Sequence, residues 1–384
     1  MSFDPMGRRK FIKQLFTMCM GFMASPLWST HSSYAATQKT PSLEYRALGK
    51  TGLKVTAVSM GVMNCSDPAV VLRAFDLGIN FYDTADCYMG GRNEEMVGKA
   101  FQGKRDKVYL QTKVHAHDEQ RMRASVERSL RRLRTDYIDV LVWHGHNSTD
   151  EVSDRELFDF MEKMKKEGKI RFSGFSSHSR MAPLLREAAQ CGYHDVALVS
   201  YNFTHSKDLK EAVAMAAKAG VGIVAMKTQA GGYTKEKMEG LNPHQAALKY
   251  ILRDPNVAAA VPGVTAIEQI DECAAVMGAS VSQRDLRELK AYQAFLEHRV
   301  CTLCGGCTGE CSYGVPYGDL LRAVMYHDGY LNELLARETV KGSLSRQIWQ
   351  RCSECSSCTA VCRRGLQIKE QIHFALTLYP HDAS

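Results

Sequence analysis

Eight of the chain's 13 cysteines fall into two runs near its end, Cys301-x2-Cys304-x2-Cys307-x3-Cys311 and Cys352-x2-Cys355-x2-Cys358-x3-Cys362. Each run brings four thiols together within a short loop and a helical turn. Thiolates at this spacing hold iron–sulfur clusters, so the pattern predicts two [4Fe–4S] clusters. Zinc and disulfides are the competing readings. Zinc sites are usually less dense in cysteine, and a disulfide framework does not require such regular spacing.

A second set of reactive side chains lies upstream. Hydrophobic runs at 55–62, 79–85, 108–114, 137–144, 170–176, 196–202, 221–227 and 257–261 alternate with helical stretches. The stretch 119–133 puts Met122, Val126, Leu130 and Leu133 on one helical face, and Asn242-Pro243 opens another helix. Eight strands each followed by a helix predict a closed (β/α)8 TIM barrel over residues 40–280. An open doubly wound sheet is the alternative. It is disfavoured because no Gly-x-Gly-x-x-Gly follows the first strand.

Barrel chemistry sits at the carboxyl ends of strands. Asp83 and Tyr88 follow the second strand, Lys113 ends the third and His144 the fourth. Ser176 ends the fifth, Ser200 and Tyr201 the sixth, Met226 and Lys227 the seventh, and Gly263 and Thr265 the eighth. His146 is a weaker substitute for His144, and Cys87 beside Tyr88 reads first as a packing residue and second as a reactive thiol.

These residues stand in words that occur in order: Glu44-Tyr-Arg-Ala-Leu-Gly-Lys-Thr-Gly-Leu-Lys-Val55, Asn80-Phe-Tyr-Asp-Thr-Ala-Asp-Cys-Tyr88, Thr112-Lys113, Tyr137-Ile-Asp-Val-Leu-Val-Trp-His144 and Gly174-Phe-Ser-Ser-His178. Across roughly 44–280 the chain resembles the aldo-keto reductase family. As a whole it resembles the subgroup with a C-terminal iron–sulfur domain. The resemblance implies interconversion of a small carbonyl and an alcohol with NADP or NAD, and a tetrad of Asp83, Tyr88, Lys113 and His144. Tyr88 would be the acid in reduction and the base in oxidation. Lys113 would lower its pKa, Asp83 would hold Lys113, and His144 would orient the substrate oxygen. Cofactor contacts are expected at Ser176, Ser177 and Ser200, and at Gly263, Thr265 and Gln269 where a helix start would take the phosphates. Gly231 and Gly232 would let backbone approach the pyrophosphate. The family commonly has a base near the phosphate loop; this chain has Glu268, Asp271 and Glu272.

By resemblance to two-cluster ferredoxins, the fourth cysteine of each run serves the other cluster. Cys301, Cys304, Cys307 and Cys362 would then hold one, and Cys352, Cys355, Cys358 and Cys311 the other. The long spacer, with helices expected at 317–326 and 331–337, points to a small all-α ferredoxin-like domain over 300–384. A connecting helix at 281–299 offers Leu286, Leu289 and Leu296 for packing.

Of the net charge of +7, the first 35 residues carry +3, from Arg8, Arg9, Lys10 and Lys13 against Asp4. Arg8-Arg9-Lys10-Phe11-Ile12-Lys13, a short apolar run and small residues at Ser33 and Ala35 resemble a twin-arginine signal ending near residue 35. An uncleaved amphipathic anchor is the alternative. The signal implies the twin-arginine export machinery as a partner and a periplasmic location. That route carries folded proteins, which suits a chain whose clusters go in before transport. No stable membrane span is expected, nor nucleic-acid binding, because no basic stripe interleaves with aromatics. A redox partner protein is expected for the clusters. The competing function is an exported electron-transfer protein whose barrel is catalytically silent.

Overall fold

The computed structural model describes residues 42–231, 243–301, 303, 307–309, 311 and 313–379. The signal segment, Gly232, Asn242 and Cys304 lie outside the described residues. No described helix is long and apolar enough to cross a membrane.

The barrel is an eight-stranded parallel sheet. Its strands are β3 (Met60–Gly61), β4 (Phe81–Asp83), β5 (Tyr109–Val114), β6 (Ile138–Trp143), β7 (Ile170–Ser177), β8 (Val196–Ser200), β9 (Gly222–Met226) and β10 (Val257–Ala260). Single bridges Val58–Ala260, just before β3, and Gly61–Gly263, just after β10, bring the two edges of the sheet together into a nearly closed ring. This is the (β/α)8 barrel expected from the alternating pattern. Its strands are buried on both faces, as a parallel sheet covered by helices must be.

The first strand differs from its expected form. The run 55–62 is divided between β2 (Lys54–Thr56) and β3. β2 pairs antiparallel with β1 (Tyr45–Ala47), with Arg46 opposite Val55. Ser59 Oγ donates to the Thr56 carbonyl at 2.7 Å, and the chain turns there before entering the barrel. Arg46 donates to the carbonyls of Asp254 and Val257 at the start of β10, so the hairpin is tied to the amino-terminal end of the barrel.

The helix Glu119–Leu133 forms as expected, capped by Asp118 accepting from the Arg121 amide. The connecting helix runs Gln283–Leu296 and buries Leu289, Tyr292 and Leu296, while Leu286 is exposed. Beyond it come helices Tyr317–Asp328, Glu333–Ser343, Arg346–Glu354 and Ile368–Thr377. The region is helical, as expected, with one two-residue ladder added. β11 (Cys307–Thr308) pairs antiparallel with β12 (Val361–Cys362), placing Cys307 opposite Cys362. The ladder sets the two cysteine runs side by side.

The cluster domain does not hang free from the barrel. One hydrophobic core joins Phe203, Ala230, Ala246 and Ala247 of the barrel to Tyr292, Leu320, Val324 and Tyr326. Tyr292 Oη donates to the Gln229 carbonyl at 2.9 Å and Arg364 Nη1 to the Thr204 carbonyl at 3.3 Å. The barrel's carboxyl end is therefore roofed by the cluster domain.

Close strand packing makes Gly174 in β7 a sensitive position. A Cβ there would lie 2.0 Å from the Val196 carbonyl oxygen of β8. Gly174→Ala should destabilise the protein by about 1–3 kcal/mol through overpacking, measurable as a shift in the urea midpoint.

Candidate active site

Asp83 ends β4 and Lys113 lies near the end of β5, so the parallel register brings their side chains together at the mouth. Lys113 Nζ lies 2.7 Å from both Asp83 oxygens and 2.6 Å from the Thr84 carbonyl, with its side chain 1% exposed. Gln111 Nε2 donates to Asp83 Oδ1 at 2.7 Å. A buried ammonium needs such partners, because an unpaired one costs several kcal/mol.

Tyr88 opens a tight turn after β4, in which Met89 and Gly90 adopt positive φ. Lys113 Nζ sits 4.7 Å from the centre of the Tyr88 ring, over its face. The hydrogen bonds of the Lys113 ammonium go to Asp83 and Thr84, and it meets Tyr88 through the ring face. Desolvation, then Asp83, Cys87 and Tyr326, hold the Tyr88 hydroxyl well above the usual tyrosine range, with Arg322 pulling the other way. Tyr88 is thus a neutral O–H donor. Its hydroxyl has no hydrogen-bond partner among the described residues, and the residue lines the principal cavity.

His144 follows β6, its ring edge-on to Tyr88 at 6.0 Å between centres. Burial, then the charges of His115, Lys113, Arg322 and Lys227, hold it well below the usual histidine range, so the imidazole is neutral. His146 is a core residue. It stacks near Trp143 and Phe175, and burial pushes it down to about 4.

The cavity measures about 470 Å³ and runs from Tyr88 and Asp83 to the loop after β10. Gly263, Thr265 and Gln269 line it, beside Gly61, Glu268 and Glu272. Thr265 donates its amide to Gln269 Oε1 at 2.7 Å. The helix Ile267–Ala274 begins there with no side-chain cap, leaving amides for an anion. A Cβ on Gly263 would meet nothing within 4 Å, so this stretch of wall is open backbone. Such a cleft, with bare backbone, an uncapped helix start and a proton donor at the far end, fits an extended nicotinamide dinucleotide. Arg73 neutralises Asp271 at 2.7 Å, whereas Glu268 and Glu272 face the cavity.

The three serines are placed differently. Ser176 Oγ donates to the Trp143 carbonyl and accepts from the Gly145 amide, both at 3.1 Å. Ser177 Oγ donates to the Ser179 carbonyl at 2.7 Å. Ser200 Oγ is buried without a hydrogen-bond partner among the described residues. None lines the cavity; His178 does, with Nδ1 unpartnered among the described residues. Tyr201 turns to Asp254 Oδ2 at 2.8 Å and cannot stack in the mouth.

The roof supplies residues that the barrel words do not reveal. Lys227 donates to Tyr326 Oη at 3.0 Å and lies over the rings of Tyr326 and Tyr330, 4.5 and 5.0 Å from their centres. Tyr330 lines the cavity. Asn332 Nδ2 approaches Asn64 Oδ1 at 3.4 Å. Burial resists ionisation of Tyr326, yet Lys227 and Arg322 bring its pKa below the usual tyrosine value.

The cluster cysteines group in two. Cys301, Cys307 and Cys362 line one small pocket with Leu321 and Leu366. Amides of Leu303 and Arg364 point at the Cys301 and Cys362 sulfurs at 3.4 Å. Burial and the nearby Cys311, Cys355 and Cys358 push the Cys352 thiol up to about 11. A cation held among these four sulfurs would remove that repulsion. Cys311 is partly desolvated, but donors at Val315, Tyr313, Tyr317 and Gly314 lower its pKa. Sulfur-only donors of this density, some with amides aimed at them, fit two [4Fe–4S] clusters.

Comparison with known proteins agrees with this division. Residues 66–244 match the aldo/keto reductase family and residues 300–366 a 4Fe-4S dicluster domain. The chain is 29% identical over 307 residues to L-galactose dehydrogenase of Arabidopsis thaliana, covering 66% of this chain and 95% of that protein. Among solved structures, an aldo-keto reductase from Bacillus halodurans in its holo form is 26% identical with a TM-score of 0.54, covering 66% of this chain and 96% of its own. One described as a putative aldo-keto reductase from Pseudomonas aeruginosa is 28% identical with a TM-score of 0.51, covering 60% and 93%. The chain is therefore similar to aldo/keto reductases over its barrel and to a 4Fe-4S dicluster domain over residues 300–366, and the relatives it resembles are named as oxidoreductases.

Asp83→Asn leaves the Lys113 ammonium buried without its counter-charge. It should cost about 3–5 kcal/mol in urea unfolding, whereas the Asp83→Asn, Lys113→Met double variant should recover much of that loss.

Proposed function

We propose that the barrel interconverts a small carbonyl compound and its alcohol, with Tyr88 as the proton donor and acceptor. The observation that carries this reading is a neutral tyrosine hydroxyl, without a hydrogen-bond partner among the described residues, at the end of a cavity suited to a dinucleotide. A bound nicotinamide supplies the hydride. As the carbonyl carbon receives it, the oxygen takes the Tyr88 proton and the alcohol forms. The resulting phenolate lies with its ring against the Lys113 ammonium and within the field of Arg322. Asp83 keeps Lys113 in place, and neutral His144 is at hand to orient the substrate oxygen. In oxidation the proton runs back to Tyr88.

Glu268 and Glu272 at the helix that would face the adenosine end disfavour a 2′-phosphate, so NAD is the better cofactor and NADP the weaker. The twin-arginine-like start supports a periplasmic location for the mature protein, reached by the twin-arginine machinery with clusters already inserted. There the clusters stabilise the roof and exchange electrons with a redox partner protein. A second reading, an electron-transfer protein with a silent barrel, draws on those same two carboxylates, which repel any bound phosphate.

Tyr88→Phe should lower carbonyl reduction by about 10²–10⁴-fold while leaving iron content unchanged; undiminished turnover would remove Tyr88 from the mechanism. Because its hydroxyl stays protonated above the usual tyrosine pKa, the reductive rate should show no loss from Tyr88 ionisation below about pH 10. A steady-state pH profile measures this. Replacing Arg8 and Arg9 with lysine should retain the protein in the cytoplasm, as fractionation would reveal.

A further inference from the structure

Three side chains at the barrel mouth are absent from the chemistry above or only partly used by it. Cys87 stands in the turn after β4, His115 directly after β5 and His144 directly after β6. Three consecutive strand ends thus deliver one sulfur and two imidazoles to one place. One ligand atom from each lies within 4.8 Å of the others. Cys87 and His115 are exposed and His144 is half-buried, so the group is open to solvent. None of the three lines the principal cavity.

The distances suit a small cation. Zinc bonds of about 2.3 Å to sulfur and about 2.0 Å to nitrogen, at a tetrahedral angle, separate the two donors by about 3.5 Å. Cys87 Sγ and His144 Nδ1 are 3.5 Å apart. The His115 and His144 rings lie 4.7 Å apart, so the third donor reaches the same point with a small rotation of an exposed side chain. A second observation stands beside the triad. The Asp86 side chain is 9% exposed, and its Oδ1 is buried with no hydrogen-bond partner among the described residues. Its charge acts on His115. Carboxylates beside metal-bound imidazoles orient the ring and hold its second N–H.

We propose that Cys87, His115 and His144 form a site for one divalent cation of the zinc class, distinct from the cluster cysteines. One thiolate and two neutral imidazoles are borderline-soft donors that favour zinc over magnesium or calcium. Three protein ligands leave a fourth position for water. Occupancy ties the His144 ring to an ion beside the cavity, so it withdraws that ring from the substrate oxygen. The site is therefore inhibitory. Binding stands by itself; inhibition rests on the carbonyl-reductase reading.

The test uses full-length protein loaded with its iron–sulfur clusters, dialysed anaerobically against zinc. Iron is assayed in parallel to exclude exchange at the clusters. The wild type should bind one zinc, with X-ray absorption reporting one sulfur and two nitrogen neighbours. Cys87→Ser and His115→Ala should each weaken binding at least about tenfold with iron content unchanged. Zinc should suppress carbonyl turnover of the wild type and spare Cys87→Ser. Zinc surrounded by sulfur alone, equal affinity in both variants, or no zinc bound would overturn the site and leave a thiol–imidazole hydrogen bond only. One sulfur and two nitrogens with undiminished turnover would overturn the inhibitory role. If the wild type has no turnover at all, the carbonyl-reductase reading fails, and the binding data still decide the site.

Discussion

An ammonium taken out of water must be given partners, and the mouth of this barrel holds two lysines that solve the problem differently. Lys113, buried, takes both oxygens of Asp83 and a backbone carbonyl. Lys227, half-buried, has no carboxylate within ion-pairing distance among the described residues and rests against Tyr326 and Tyr330. The first solution is internal to the barrel. The second needs the cluster domain. Much of the site follows from this contrast. With Lys113 spent on Asp83, Tyr88 meets it only through its ring and keeps its proton. With Lys227 under two roof aromatics, the cavity acquires a wall from outside the barrel.

The roof also explains why the two domains share a core. Helix Tyr317–Asp328 buries Leu320, Leu321, Val324 and Tyr326, and that core takes in Phe203, Ala230 and Ala246 of the barrel. The same helix starts beside the cysteines: Tyr317 and Cys311 pack against one hydrophobic core, and Tyr326 near the other end reaches Lys227. Anything that alters the sulfurs therefore acts on a helix that also touches the mouth. Gly329 shows how close the fit is, since a Cβ there would lie 2.1 Å from the Gly231 carbonyl oxygen.

Periodicity and local words made much of this legible. The barrel could be read because each strand is a short apolar run and each helix has one apolar face, as in Glu119–Leu133. The Asp83–Lys113 pairing could be anticipated because adjacent parallel strands bring their carboxyl ends together. Three features could not. The division of 55–62 depends on β1 pairing with β2, a contact that the apolar pattern does not encode. Ser176 and Ser177 are held by backbone groups of β6 and of the loops after β6 and β7, contacts that strand-end position does not encode. Tyr326, Tyr330 and Arg322 lie in an ordinary amphipathic segment, and only three-dimensional docking brings them to the mouth. The two cysteine runs were legible through spacing, whereas the β11–β12 ladder that pairs them was not.

The central claim is that this cluster-bearing chain holds a nicotinamide in a working barrel. Its most direct measurement is the iron and sulfide content of anaerobically purified protein, combined with a fluorescence titration of NADH and NADPH on that sample. The account predicts about eight irons and saturable binding at one site, tighter for NADH. About eight irons with no binding of either nicotinamide would contradict it and leave the barrel as a silent support for the clusters.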